Sequence, residues 1–182
     1  MKRIFWSLAA VLGVSASLMS GIARADEPKV GDKAPDFSLV GSDGKTYALA
    51  DFKGKQAVVL AWFPKAFTGG CTKECKSIAA SSAKLKPLGI AYFTASVDTP
   101  ELNKKFAESL ALDYPILSDP DKKVATAYGV VHGERKVAER WTFYIDKDGV
   151  IKAVDKGVQK KTETAGDDIA AKAKELGLTD QK

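Results

Sequence analysis

Cys71 and Cys75 are the only two cysteines among 182 residues, and Thr72, Lys73 and Glu74 separate them. A bridge closing so short a loop would stabilise the chain very little, so the pair does not read as a structural staple. It reads as redox or metal chemistry. Thiolate is the form of cysteine that acts as nucleophile and metal ligand, and a reactive cysteine needs surroundings that lower its pKa. Cys71 follows Thr68-Gly69-Gly70 and opens a helical pattern. The first turn of a helix offers unpaired backbone N–H groups and the positive end of the helix dipole. The two glycines let the chain turn tightly and keep the sulfur approachable. Thr68, three residues before the sulfur, is placed to aim its hydroxyl at it, and Pro64 can cover the site without adding a competing donor. A nearby cation would help both the thiolate and any negative charge that develops on the group it displaces. The single histidine, His132, leaves little for a metal site.

These residues need a strand before them and a helix after them. Residues 57–63 form a nearly continuous apolar run, which suits a strand buried on both faces. Pro64 ends it, Thr68 to Gly70 form a loop, and a helix is expected from about Cys71 to Lys86. Residues 89–97 read as a second buried strand. Residues 100–110 read as a helix with Leu102, Phe106 and Leu110 on one face and Thr99 as N-cap. Upstream, residues 37–40 and 46–49 alternate around Ser42-Asp43-Gly44-Lys45, a hairpin signal. Downstream come a short helix opened by Asp119-Pro120, a hairpin around Asp146 to Gly149, and a final helix over 167–176 stopped by Gly177. Helices between strands imply crossovers and a parallel portion, and the last hairpin adds antiparallel strands. The expectation is an α/β fold: a mixed central sheet flanked by helices, with an N-terminal β-hairpin extension.

Pro64, Thr68 and Cys71 satisfy the P-x-x-x-T-x-x-C signature of peroxiredoxins, and the chain resembles that family. Phe63-Pro64-Lys65-Ala66 followed by Cys71-Thr72 is similar to the subgroup called PrxQ or bacterioferritin comigratory protein. The likeness extends to Gly31 to Phe37, Ser96-Val97-Asp98, Leu117-Ser118-Asp119 and Arg140 to Asp146. The resemblance implies a thioredoxin-like fold and a thiol-dependent peroxidase that reduces hydrogen peroxide and organic hydroperoxides through a sulfenic acid at Cys71. It implies Arg140 as the active-site arginine, Thr68 and Arg140 as the groups that position and polarise the peroxide, and Pro64 as the shield. It also implies Cys75 as the resolving cysteine, an intramolecular disulfide, and recycling by a thioredoxin-like protein or another thiol. No cofactor or metal is implied. A monomer is expected, since no long C-terminal extension carries a further cysteine.

One feature departs from the subgroup, in which the two sulfurs usually lie one residue further apart. Positions i and i+4 of a helix hold their Cβ atoms roughly 5–6 Å apart, whereas a disulfide needs about 3.5–4.5 Å. If Cys75 resolves Cys71, the first turn must therefore unwind. The same spacing resembles Sco-type copper chaperones, which bind copper through two cysteines and a histidine, a ligand set that suits that metal. Here Arg140 stands near that family's histidine position, His132 lies farther upstream, and Thr72 replaces the proline after the first cysteine. An exported thiol-disulfide oxidoreductase is a further alternative, although its C-x-x-C motif is one residue shorter.

The first 25 residues have the layout of a cleavable export signal. Lys2 and Arg3 lead, residues 4–18 are mostly apolar, and Ala23-Arg24-Ala25 offers a small-x-small cleavage site. A retained membrane anchor is the alternative. Cleavage would leave 26–182 as one thioredoxin-like domain in the periplasm or outside the cell, with no membrane attachment. Lys2, Arg3 and Arg24 belong to the signal, so the formal charge of +5 is partly its property. No basic cluster with interleaved aromatics supports nucleic-acid binding.

Overall fold

A computed structural model describes residues 27–131, 134, 136–158 and 161–179. The predicted export signal and His132 lie outside them. The amino-terminal hairpin forms around its Asp-Gly turn: β1 (Ser38–Gly41) pairs antiparallel with β2 (Thr46–Ala48). The apolar run becomes β3 (Val58–Trp62), buried at every position. Side chains alternate along a strand, so Val58, Leu60 and Trp62 enter one core while Val59 and Ala61 enter the core on the opposite face.

The helix expected over 71–86 begins slightly earlier and breaks once. α1 (Gly69–Ala80) ends at Ser81, and α2 (Ser82–Leu85) follows. The break coincides with a tether, because the Ser81 hydroxyl donates to Asp167 at 2.8 Å. β4 (Ala91–Ser96) and α3 (Pro100–Ser109) follow as expected, with the Thr99 hydroxyl accepting from the Leu102 N–H at 3.3 Å. β5 (Ile116–Ser118) was not anticipated, since three residues are too few to show a period. It lies parallel to β4 and antiparallel to β1, and so joins the amino-terminal hairpin to the main sheet. α4 (Lys123–Ala127), β6 (Thr142–Ile145), β7 (Ile151–Asp155) and α5 (Ala165–Glu175) complete the chain order.

The seven strands run β2-β1-β5-β4-β3-β6-β7. β3 is parallel to β4 and antiparallel to β6, which makes it the hinge between the two portions of the sheet. On one face, Phe37, Leu60, Phe93, Tyr128 and Phe143 pack together. On the other, α1 and α5 cover Val59, Ala61 and Tyr144 through Ile78, Ile169 and Ala173. A third cluster at the end of β3 holds Phe63, Ala66, Phe106, Ile116 and both cysteines.

α1 is pressed close to α5 because Gly166 has no side chain. A Cβ there would sit 2.4 Å from the Ser77 carbonyl oxygen and 2.6 Å from Ser81 Oγ, while the Gly166 N–H donates to Ser77 Oγ at 3.1 Å. Gly166→Ala should force the two helices apart and cost about 1–3 kcal/mol, as overpacking does; a urea unfolding midpoint unchanged from wild type would refute this.

Candidate active site

The loop between β3 and α1 is held from below by a buried polar network. The Ala66 N–H donates to Asp98 Oδ2 at 2.8 Å, and Ser96 Oγ donates to the same oxygen at 3.0 Å. Asn103, fully buried on α3, donates to Ser96 Oγ at 3.0 Å and to Ser118 Oγ at 2.9 Å. Ends of β4, β5 and α3 thus converge on one loop. Phe67 adopts a left-handed φ of 60°, uncommon for a side chain of its size, and rests against the Phe106 ring with centroids 4.9 Å apart. Thr68, extended, caps α1 by position, and its carbonyl accepts the Thr72 N–H at 2.9 Å.

Cys71 is the third residue of α1 and is fully buried. Its N–H therefore belongs to the group that has no partner within the helix. Arg140 reaches it from just ahead of the neighbouring strand, β6. β6 runs antiparallel to β3 with Ala61 opposite Thr142, and the Trp62 N–H donates to the Trp141 carbonyl at 2.8 Å. That pairing carries Arg140 past the end of β3 to the start of α1. There Nη2 donates to Cys71 Sγ at 3.2 Å, and Nη1 forms an ion pair with the Glu74 carboxylate. Gly70 makes room for this approach, since a Cβ at that position would stand 3.3 Å from Nη2. The Arg140 Nε–H is buried and has no partner among the described residues.

The surroundings act differently on each ionisable group. Burial pushes the Glu74 carboxyl up to about 7, partly offset by the Arg140 cation beside it. Burial also opposes the charge of Arg140, but the Glu74 carboxylate and Cys71 outweigh it and hold the guanidinium protonated. Cys75 lies one turn beyond Cys71, buried, and both are free thiols. Burial, and then the neighbouring Glu74, push the Cys75 thiol up to about 12.

Of the residues singled out in the sequence, Cys71 and Arg140 meet directly, and Cys75 lies on the same buried helix face. Pro64 and Thr68 border the loop, Pro64 half-buried and Thr68 exposed. The expected direction of the Thr68 hydroxyl is not what the structure has: it donates to the Lys65 carbonyl at 2.9 Å rather than to the sulfur. The reason is local, because a threonine in extended backbone at the end of a tight loop can close the turn onto a carbonyl three residues back. Glu74 was read only as a spacer between the cysteines. Residues 71, 74, 75 and 78 are the buried positions of α1, spaced as one helix face, so a charge at 74 was the available signal of a buried partner.

Removing one member of a buried ion pair leaves the other uncompensated. Glu74→Ala should therefore destabilise the fold by about 3–5 kcal/mol, and Glu74→Gln, which keeps an oxygen acceptor for Arg140, by less. The sign of the pH effect follows from a carboxyl pKa raised in the folded state. Between the ordinary glutamate value of 4.5 and about 7, the folded chain binds the proton more tightly than the unfolded one, so stability falls as pH rises through that window. Glu74→Gln should flatten this slope, and urea titrations at several pH values would show whether it does.

The chain was also compared with known proteins. Residues 30–154 match the AhpC/TSA family. The peroxiredoxin Bcp of Escherichia coli (strain K12) is 38% identical over 133 residues, covering 69% of this chain and 84% of that protein. A putative peroxiredoxin of Mycobacterium tuberculosis is 37% identical over 128 residues, covering 66% and 80%. Among solved structures, the peroxidoxin BcpB of Mycobacterium tuberculosis superposes with a TM-score of 0.74 at 30% identity, covering 81% of this chain and 97% of that one. PrxQ of Xylella fastidiosa shares the fold with the same TM-score of 0.74 at 21% identity. The copper-binding and disulfide-exchange alternatives gain no support from these relatives, and a guanidinium 3.2 Å from the sulfur would repel a metal cation. With a thioredoxin-like fold and a cysteine met by a buried arginine, the chain belongs to the AhpC/TSA family and is a thiol-dependent peroxidase, a peroxiredoxin of the Bcp and PrxQ kind.

Proposed function

We propose that Cys71 is the peroxidatic cysteine, attacking hydrogen peroxide and organic hydroperoxides. The single observation that carries this is the Arg140 Nη2–H donating to Cys71 Sγ at 3.2 Å inside the fold. The thiolate sulfur attacks one peroxide oxygen and the O–O bond breaks. Cys71 becomes a sulfenic acid, and the other oxygen leaves as hydroxide or alkoxide and takes up a proton. Negative charge moves from sulfur to the leaving oxygen. A guanidinium has five donors in a fixed plane, so Arg140 can keep its bond to Glu74 while following that charge. The Thr68 hydroxyl spends its proton on Lys65, which leaves its oxygen lone pairs to accept a peroxide O–H and orient it. Pro64, without an N–H, borders the loop and limits competing water.

In this reading Cys75 resolves the sulfenic acid, and a thioredoxin-type dithiol reduces the resulting disulfide. Helix geometry keeps residues 71 and 75 too far apart to bond, so the first turn of α1 unwinds during the cycle. The chain acts as a monomer, since both cysteines of the cycle lie in one helix. Residues 1–25 direct export to the periplasm or beyond, where the donor must work against an oxidising compartment. The apolar run lies ahead of the residues that match the family.

Cys71→Ser should abolish peroxide turnover in an assay coupled to a dithiol donor, with hydrogen peroxide and with an organic hydroperoxide. Arg140→Lys should lower the rate constant with peroxide by about 10²-fold or more, because one ammonium cannot serve both Cys71 and Glu74 in the same plane. After one equivalent of peroxide, mass spectrometry should find Cys71 joined to Cys75. A stable sulfenic acid at Cys71 with Cys75 still open to alkylation would remove the resolving role. Export predicts a mature protein that begins at Asp26 in the periplasmic fraction, which N-terminal sequencing would check.

A further inference from the structure

Tyr114 takes no part in the peroxide step, yet it holds the turn of α1 that carries the second cysteine. Its hydroxyl donates to the Cys75 backbone carbonyl at 3.1 Å. Inside a helix that carbonyl already faces the N–H four residues on, so the bond is an added tether. The phenol is buried, and its ring packs on Tyr92 with centroids 5.5 Å apart. The Thr94 hydroxyl, on β4, neighbours both the Cys75 thiol and the phenol. Tyr114 is itself fixed in place. The preceding residue, Asp113, accepts from Ser82 Oγ at 2.7 and 2.8 Å and from Lys86 Nζ at 2.6 Å, and β5 begins at Ile116, two residues after Tyr114. The phenol therefore acts as a post anchored outside α1.

We infer that Tyr114 is a positioning residue for the resolving step: it pins the Cys75 carbonyl and so sets how readily that turn leaves the fold to bring Cys75 to an oxidised Cys71. The inference rests on the reading of Cys75 as the resolving thiol. In that step Cys75 sulfur attacks Cys71 sulfur, the S–O bond of the sulfenic acid breaks, and the oxygen leaves as water with the thiol proton. No outside oxidant or reductant is needed. Cys75 in its buried place is a poor nucleophile, since burial and Glu74 disfavour its thiolate. Movement out of that place is what the Tyr114 bond opposes. While Cys75 stays held, the sulfenic acid is exposed to a second peroxide and to irreversible oxidation. The strength of this one hydrogen bond therefore partitions Cys71 between disulfide and sulfinic acid.

The test uses the full chain with Tyr114→Phe, which removes the hydroxyl and keeps the ring. The loss of one such bond should speed disulfide formation after a peroxide pulse by about threefold to tenfold. The rate of sulfenic acid formation at Cys71 should stay within about twofold of wild type, and the sulfinic fraction at high peroxide should fall. Tyr128→Phe, which removes a buried hydroxyl bonded to the Pro35 carbonyl at 2.9 Å and remote from the Asp113 anchor, should leave the disulfide rate unchanged. Asp113→Asn, which loosens the post from the solvent side, should accelerate it in the same direction as Tyr114→Phe and serves where that variant folds poorly. An unchanged disulfide rate in Tyr114→Phe, or an equal acceleration in Tyr128→Phe, overturns the role of Tyr114 while leaving Cys75 as resolving thiol. A wild-type protein that never joins Cys71 to Cys75 overturns both readings.

Discussion

A cation buried beside a sulfur is costly unless an anion and hydrogen bonds compensate it, and that constraint organises this protein. Arg140 is 5% exposed and Glu74 is 1% exposed, so neither charge has water to rely on. Each of the surrounding features follows from keeping that pair satisfied next to Cys71. β6 must pair with β3 in the observed register so that the chain preceding Thr142 reaches the start of α1. Gly70 must lack a side chain where Nη2 passes. Glu74 must lie one turn beyond Cys71 so that one guanidinium meets both. Low dielectric strengthens the contact between Arg140 and Cys71 and makes its loss correspondingly expensive.

The same burial sets opposing demands on the two cysteines. Cys71 has Arg140 and the start of a helix; Cys75, four residues later, has the apolar cluster of Phe63, Phe106 and Ile116 and the unfavourable field of Glu74. Burial and that field disfavour a sulfur anion at Cys75. On the proposed cycle, attack and resolution cannot share one conformation, and the contacts of α1 with its neighbours become part of the kinetics. The carboxyl-terminal half of α1 is strapped to α5 through Gly166 and Ser81. On that cycle the movement falls to the half of the helix nearest the active site.

Support for the loop before α1 is similarly uneven. Asp98, Ser96, Asn103 and Ser118 hold its first part through the Ala66 N–H. Beyond that point Phe67, in a left-handed conformation and 54% exposed, rests on the Phe106 ring, and Thr68 bonds back to Lys65. Strained backbone of this kind persists where the surrounding structure over-determines it, and here the fixed point is the polar network beneath.

Much of the architecture was legible in the sequence, because it rests on local signals. The apolar run of β3, the Asp-Gly turn of the first hairpin, the Thr99 cap of α3 and the glycine after α5 each report a short-range preference. The candidate cysteine was legible too, since Pro64, Thr68 and Cys71 lie within one segment whose spacing carries the family signature. What lay beyond reach was whatever depends on residues distant in the chain. β5 is three residues long and becomes a strand only because β4 and β1 flank it. Glu74 is an ordinary spacer until β6 delivers Arg140 from 66 residues away. The Thr68 hydroxyl has two possible partners, and the loop geometry decides for Lys65. The sequence by itself picked out the candidate nucleophile, Cys71, and the elements around it, since those are set by nearest neighbours. The partners of that nucleophile were decided by the tertiary structure, because a buried charge is tolerated only where distant strands and helices bring its counter-charge within bonding distance.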